Sequence, residues 1–97
     1  MYVSVLSGRV ARENWDSLQH SFSKLCAHPP DGLVEIELVQ GVEDPSHWEV
    51  ITTWQSQEAY QEARLHNRTA PCEQMFCEAG SVPQRTEYRM ITRYQRV

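Results

Sequence analysis

The chain has 97 residues, of which 40% are hydrophobic and 23% charged, and its formal net charge is −4. This composition is typical of one globular domain over residues 1–97, and a chain of this length has no room for a second hydrophobic core. The longest apolar run is three residues and no basic or apolar leader follows Met1, so we expect a cytoplasmic protein with no membrane partner.

A strand pattern and a helix pattern open the sequence. The segment Tyr2–Val10 carries apolar side chains at both parities, which predicts a strand buried on both faces. From Arg12 to Cys26 the apolar residues recur at helical spacing, on one face of a predicted helix. Asn14 lies in the first turn of this helix and is its predicted N-cap.

Two alternating segments follow. In Leu33–Gln40, the residues Val34, Ile36 and Leu38 share one face and two glutamates share the other, which predicts a half-buried strand. His47–Trp54 alternates in the same way and predicts the next strand. Turn-forming residues lie between the two segments, so we expect a hairpin-type connection.

The second half repeats the order of helix and strand. Ser56 is the predicted N-cap of a helix that runs through about Asn67. After Pro71, a second helical piece is predicted over Cys72–Ala79. The last segment, Gln84–Gln95, has arginines at helical spacing, but its density of Thr, Tyr and Ile favours a strand.

The predicted order of elements is β-α-β-β-α-β, which is the arrangement of a ferredoxin-like α+β fold with an antiparallel sheet. Both crossovers of this fold place their helices on one face of the sheet. The other face of the sheet is then left uncovered, although it carries apolar side chains such as those of Val3 and Val5, which favour burial. In a chain this short a second copy is the simplest cover, so we predict a homodimer.

Charge divides the sequence into an acidic body and a basic end. Residues 1–82 contain five Lys/Arg and twelve Asp/Glu, a balance of −7, whereas residues 83–97 contain four Arg and one Glu, a balance of +3. An acidic body repels phosphate groups, so we expect no nucleic-acid partner. In the predicted sheet, Arg85, Arg89 and Arg93 lie too far from the glutamates of the second and third strands for most pairs within one chain. We therefore expect these groups to meet across the dimer.

The sequence carries no local motif for a metal or a nucleotide. Its three cysteines are an odd number, which favours free thiols, and Cys72 and Cys77 are not at the spacing of zinc or redox motifs. The four histidines are scattered, and the four glycines are too far apart to form a phosphate-binding loop. We therefore expect no metal site and no cofactor.

Three short motifs stand at the junctions between elements. They are the turn Pro30-Asp31-Gly32, the connection Glu43-Asp44-Pro45, and Trp54 followed by Ser56-x-Glu58-Ala59. Together with the element order, these motifs resemble the antibiotic biosynthesis monooxygenase superfamily. The resemblance implies a dimeric α+β barrel built from two ferredoxin-like subunits. It also implies a range of functions that includes cofactor-independent quinone-forming oxygenation and haem degradation.

Departures from the family pattern narrow the chemistry that the resemblance implies. Many members carry a histidine nine residues after the motif tryptophan, where this chain has Ala63. The haem-degrading branch uses an Asn on the first strand, a Trp on the second helix and a His in the following segment. This chain has Val, Leu and Ser near the first position, no Trp in 56–80 and no His after His66, which disfavours that route.

The remaining candidate site residues surround the second helix, where the family places its pocket. His66 is the candidate general base, and Tyr60 is the candidate hydrogen-bond donor to a substrate oxygen. Trp54, Arg64 and Asn67 are candidate substrate-binding residues. Trp54 and Tyr60 also suit a packed core, because large aromatic side chains are usually buried. Arg64 also suits a solvated surface, and His66 suits the last carbonyls of a helix.

Two functions follow from the resemblance. The first is a cofactor-independent monooxygenase acting on a small hydrophobic or quinone-like substrate, which is deprotonated to an anion that itself reacts with dioxygen. The second is a non-catalytic dimeric barrel that binds a small-molecule ligand or serves a stress or regulatory role. A cavity that places a histidine or tyrosine beside an apolar wall favours the enzyme, whereas a filled interior favours the second function.

Overall fold

Four strands and three helices form the fold in the computed structural model, which describes all of residues 1–97. The strands are β1 (Tyr2–Arg9), β2 (Leu33–Gln40), β3 (His47–Trp54) and β4 (Gln84–Arg89), and the helices are α1 (Trp15–Cys26), α2 (Gln57–Leu65) and α3 (Ala70–Glu78). All strand pairs are antiparallel, in the order β2-β3-β1-β4, so the predicted ferredoxin-like fold is confirmed. None of the three helices combines the length and the apolar character that spanning a membrane requires.

Strands β2 and β3 have the predicted bounds, but β4 is shorter than predicted. It ends at Arg89 instead of Gln95, where its pairing reaches the first residue of β1. Arg89 pairs with Tyr2, and the Met90 N–H donates to the Met1 carbonyl at 3.1 Å. The residues after this bond have no strand to pair with, and they continue as an exposed tail.

The two predicted N-caps have different outcomes. The Ser56 hydroxyl accepts a hydrogen bond from the Ala59 N–H at 3.0 Å and caps α2, as predicted. Asn14 is the last residue of a short 3-10 turn and directly precedes α1, but its side chain makes no cap bond. Instead the Asn14 amide donates to the Ala79 carbonyl at 3.2 Å, so it ties the start of α1 to the end of α3.

The three helices cover one face of the sheet and enclose the hydrophobic core. Leu6 and Val50 face each other across β1 and β3, and they belong to the same buried cluster as Leu18 of α1 and Phe76 of α3. Both Leu18 and Phe76 have no exposed surface. Burial alternates along β1 from Tyr2 to Ser7 and along β3 as far as Thr52, with every second residue facing the helices, so the opposite parity forms the open face. Thr53 belongs to the open face by parity but is also buried.

The open face carries a half-buried apolar row across three strands. Val5 of β1 pairs with Ile51 of β3, and Val3 pairs with Tyr88 of β4, whose side chain is 54% exposed. The expectation that the helices leave this face bare is therefore confirmed within one chain.

A β-bulge in β2 changes the predicted face of one residue. Leu33 pairs with Trp54 and Glu35 pairs with Thr53, which leaves Val34 without a partner. The inserted residue shifts the alternation, so Val34 is 46% exposed and does not share the buried side with Ile36. The prediction that Val34 belongs to the buried face is wrong for this reason.

Two of the three arginines expected to pair across a dimer find carboxylates in their own chain. Arg85 forms an ion pair with Glu73 of α3, because its side chain lies on the helix side of β4. Arg93 lies beyond the end of β4, and its guanidinium comes within 3.6 Å of the Glu35 carboxylate. The prediction that such pairs are out of reach within one chain is therefore wrong for Arg93, because the tail turns toward β2 after the strand ends.

The substitution Leu18→Ala is expected to lower the free energy of unfolding by about 2–5 kcal/mol, because it leaves a cavity at a fully buried site. The matched control is Leu65→Ala in α2, where the side chain is 74% exposed and a change within about 0.5 kcal/mol is expected. Urea denaturation at one fixed protein concentration measures both. Equal losses in the two variants would contradict this description of the core.

Candidate functional site

A cavity of about 390 Å³ opens between α1, α3 and the helix-covered face of the sheet. Its apolar wall comes from both layers: Leu25 of α1, Leu33 and Ile36 of β2, Trp54 of β3 and Met75 of α3. A volume of this size lies within the range of small-molecule sites. We call it the outer cavity.

A second, much smaller space adjoins the outer cavity. This inner pocket measures about 20 Å³, enough for one water molecule or one ligand oxygen. Thr52, Trp54 and Cys72 line both spaces, so the two share a wall. The inner pocket is also lined by Ser4, Tyr60 and Arg85, so three polar side chains meet the apolar Leu6 and Val50 there.

Arg85 supplies the positive charge of the inner pocket. Its terminal nitrogen Nη2 pairs with Glu73, and this contact holds the guanidinium against α3. Its Nε–H is buried and has no hydrogen-bond partner. A buried donor without a partner costs roughly 1–3 kcal/mol, so the Nε–H of Arg85 has a hydrogen-bonding capacity that no group of the chain uses.

Trp54 forms the wall between the two spaces and is fixed in place by hydrogen bonds and packing. It is 2% exposed, and its indole Nε1 donates to the Thr52 hydroxyl at 2.9 Å. Thr52 in turn donates to the Ser4 carbonyl at 3.2 Å. The Tyr60 ring packs edge-on against the indole at a centroid distance of 5.5 Å. Rotation of Trp54 out of this position would break its hydrogen bond to Thr52 and its contact with the Tyr60 ring.

The Tyr60 hydroxyl connects the inner pocket with a carboxylate at the rim of the sheet. It accepts a hydrogen bond from the Ser4 hydroxyl at 3.3 Å and donates to Glu87 Oε2 at 3.4 Å. Arg64 lies 3.5 Å from the same oxygen, and Tyr2 donates to the other oxygen of Glu87. The hydrogen bond to Glu87 and burial raise the pKa of Tyr2, since ionisation would place a second negative charge beside the carboxylate.

The structure brings three of the five predicted site residues together. Trp54, Tyr60 and Arg64 are neighbours, and the Arg64 guanidinium lies 5.9 Å from the centre of the Tyr60 ring. His66 lines neither space, because it follows the end of α2 on the solvent side and its Nε2 is 2.9 Å from Glu62. Asn67 also lies outside both spaces, where its positive φ of 57° terminates the helix.

Sequence reasoning missed Arg85, Glu87 and Cys72 as site residues. The sequence could have indicated Glu87, because it is the single acidic residue in the basic segment 83–97. An isolated carboxylate among arginines suggests a specific contact in the folded chain. Arg85 and Cys72 had none, since they reach the site only through the pairing of β4 with β1 and the packing of α3 on the sheet.

Cys72 contributes a protonated thiol to both spaces. Burial raises the pKa of Cys72 to about 11, and the nearby Arg85 charge only partly offsets that effect. The thiol is therefore a weak donor and a poor nucleophile at neutral pH. Elsewhere in the chain, no group of three or more His, Cys, Asp or Glu side chains is arranged to hold a metal ion.

Comparison with known proteins finds likeness in structure and not in sequence. No protein-family model and no curated protein matches the chain. A crystal structure of a candidate antibiotic biosynthesis monooxygenase from Deinococcus radiodurans is 14% identical, with a TM-score of 0.75, and the match covers 100% of this chain and 99% of that chain.

Two further structures carry names that describe a function. MhuD, a haem-degrader from Mycobacterium tuberculosis with two haems bound in its active site, is 17% identical, with a TM-score of 0.74, and the match covers 98% of this chain and 100% of that chain. SnoaB, a cofactor-independent oxygenase from Streptomyces nogalater, is 13% identical, with a TM-score of 0.73, over 95% of each chain. The predicted likeness to the antibiotic biosynthesis monooxygenase fold is confirmed by these matches.

At pH 7.5 the three cysteines are expected to be alkylated at different rates. Cys26 and Cys77 are exposed, whereas the raised pKa of Cys72 leaves roughly 100-fold less thiolate there than an ordinary cysteine has. We expect iodoacetamide to modify Cys72 at least about 100-fold more slowly than Cys26, as measured by mass spectrometry of labelled peptides. The rate at Cys72 should rise with pH toward 11. Equal rates at neutral pH would show that the thiol is neither buried nor protonated.

Proposed function

We propose that the chain is a cofactor-independent monooxygenase that oxidises a small hydrophobic, quinone-forming substrate in the outer cavity. The observation that carries the proposal is the junction at Trp54, where the apolar wall of the outer cavity meets the inner pocket lined by Arg85, whose buried Nε–H has no hydrogen-bond partner. An apolar body with one reactive oxygen matches both parts of the site. The fold shared with SnoaB, named as a cofactor-independent oxygenase, supports the same chemistry.

In the proposed reaction, a phenol- or enol-containing substrate ionises and then reacts directly with dioxygen. The anion gives electrons to dioxygen and a carbon–oxygen bond forms. Cleavage of the oxygen–oxygen bond with loss of the remaining C–H proton converts a CH₂ group into a carbonyl, and the second oxygen atom leaves as water. The work of the protein is to stabilise the substrate anion in a pocket that excludes bulk water.

Arg85 and Tyr60 are the catalytic residues in this proposal. The Nε–H of Arg85 would donate to the substrate oxygen and stabilise its negative charge, as donors in oxyanion sites do. The Tyr60 oxygen would accept the substrate proton while its own proton moves to Glu87, which lies 3.4 Å away and is partly open to solvent. Trp54 would bind the substrate by ring contact, and Arg64 would hold Glu87 in position.

His66 and Asn67 receive different roles from those expected. His66 pairs with Glu62 outside both spaces, and Asn67 ends α2, so in this proposal neither residue contacts the substrate. Haem degradation is not part of the proposal, because β1 and α2 lack the Asn and the Trp that the resemblance assigns to that branch.

We also propose that the open face of the sheet pairs with the same face of a second copy. The supporting observation is the apolar row around Val5 and Ile51, which no helix of the chain covers. Since the outer cavity and the inner pocket both lie on the helix side, each subunit would keep its own site in such a dimer.

Substitution of the inner-pocket donor is expected to lower turnover of an anthrone, measured as quinone absorbance together with dioxygen uptake. Arg85→Met removes the donor, and a loss of roughly 10²–10³-fold in kcat is expected. Glu73→Gln is the matched control, since it breaks the same ion pair but leaves the Nε–H in place, and it should retain most of the activity. Tyr60→Phe should also lower kcat, whereas His66→Ala should leave it unchanged.

Several outcomes would contradict this assignment. A loss of 10²–10⁴-fold in the His66→Ala variant would return the role of general base to that residue. Equal losses in Arg85→Met and Glu73→Gln would reduce Arg85 to a structural role. Dioxygen uptake at the uncatalysed rate, with the anthrone nevertheless bound, would favour the non-catalytic ligand-binding barrel.

Sedimentation equilibrium at micromolar concentration is expected to give about twice the chain mass of 11.3 kDa. Val5→Glu places a charge in the middle of the open face and should yield a folded monomer. Val42→Glu is the control, because Val42 is 95% exposed in the β2–β3 connection, and it should stay dimeric. A monomer in the unsubstituted protein would exclude the barrel.

A further inference from the structure

The mouth of the outer cavity is positively charged although the chain as a whole is acidic. Lys24 and His28 reach it from α1 and the segment that follows, and Arg68 reaches it from the α2–α3 connection. One acid, Glu78, lines the same cavity. Two permanent cations and an imidazole therefore face one carboxylate, in a chain with nine Lys/Arg and thirteen Asp/Glu.

These cations are not engaged in strong ion pairs of their own. Lys24, which is the only lysine of the chain, takes part in none of its seven salt bridges. Arg68 lies 3.9 Å from Asp31, at the limit of an ion pair, and the Asp31 side chain is fully exposed. By contrast, Arg9 has a carboxylate oxygen at 2.9 Å, and Arg85 pairs closely with Glu73. The charges at the mouth therefore remain free to meet an anion.

The apolar wall of the cavity lies directly behind these charges. Leu25 is next to Lys24 in α1, and Trp54 closes the cavity at its inner end. A ligand that satisfies both parts is apolar along its body and carries an anionic group at one end. The order of the surfaces, from cations through an apolar wall to the Arg85 donor, also fixes which end of such a ligand enters first.

We propose that the outer cavity selects an apolar, ring-containing ligand with an anionic group, such as a carboxylate or sulfonate, held at Lys24 and Arg68. This inference rests on the proposed function and names the class of its substrate: an aromatic acid whose phenol or enol oxygen lies at the end remote from the acid group. The charged group at the mouth orients the ring, and the remote oxygen then reaches the inner pocket.

A matched pair of fluorescent probes tests the requirement for charge. Anilinonaphthalene sulfonate and its uncharged parent, phenylnaphthylamine, have the same rings and differ by the sulfonate. At low salt we expect the sulfonate to bind roughly five- to tenfold more tightly. Raising the ionic strength from about 0.01 M to about 0.15 M shortens the Debye length from about 30 Å to about 8 Å, so the difference should shrink.

Variants at the mouth assign the effect to particular side chains. Lys24→Gln and Arg68→Gln should each weaken binding of the sulfonate roughly two- to fivefold and leave binding of the uncharged probe unchanged. Arg12→Gln is the matched control, because Arg12 is exposed and lies over Trp15, away from the cavity. It should alter the binding of neither probe.

A second pair of variants verifies that the probes occupy the outer cavity. Ser21 lines the cavity, whereas Ser23, two residues later in α1, faces solvent. Ser21→Phe should weaken binding of both probes, and Ser23→Phe should weaken neither. If Ser21→Phe leaves the affinity of both probes unchanged, the probes do not bind in the outer cavity, and that result overturns the proposed function together with this inference. Equal affinity for the two probes, lost in Ser21→Phe, overturns only the requirement for an anion.

Discussion

The packing of Trp54 against the turn before β2 and the first turn of α2 is the constraint on which the rest of the site depends. Gly32 has a φ of +87°, and a Cβ at that position would lie 2.8 Å from Cβ of Ala59 and 3.9 Å from the Trp54 ring. Gln55 N–H donates to the Gly32 carbonyl at 2.9 Å and closes the same junction. Only a residue without a side chain fits there, because both the backbone conformation and the space exclude one.

This junction brings into contact two motifs that are separate in the sequence, the turn Pro30-Asp31-Gly32 and the segment from Trp54 to Ala59. The glycine of the first motif lets the chain approach α2, and the tryptophan and alanine of the other fill the space that results. Because the indole is held on both sides, it forms a rigid wall between the outer cavity and the inner pocket. The position of α2 also sets where Tyr60 presents its hydroxyl, and thus where the inner pocket meets Glu87.

The two faces of the sheet have different chemical character, and the difference follows from which residues the helices cover. On the covered face, the Ser4 hydroxyl donates to Tyr60, and the Thr52 hydroxyl accepts from Trp54 and donates to the Ser4 carbonyl. Arg85, by contrast, keeps one buried donor unpaired. A stable fold tolerates few such donors, and the Trp48 indole N–H is the other buried side-chain donor of this chain without a partner. The open face has an apolar row without buried charge, which suits association better than catalysis.

The sequence by itself determined the order of the elements, the bounds of β2 and β3, and the cap of α2 by Ser56, since alternation and capping depend on residues a few positions apart. It also predicted Trp54 and Tyr60 as candidate site residues, and both line the inner pocket. Only the tertiary structure decided that β4 ends at Arg89, that Asn14 bonds to Ala79 rather than to its own helix, and that Glu87 meets a tyrosine 85 positions earlier. These contacts join segments that are distant in sequence, so their geometry is set by strand register and helix packing rather than by any local pattern.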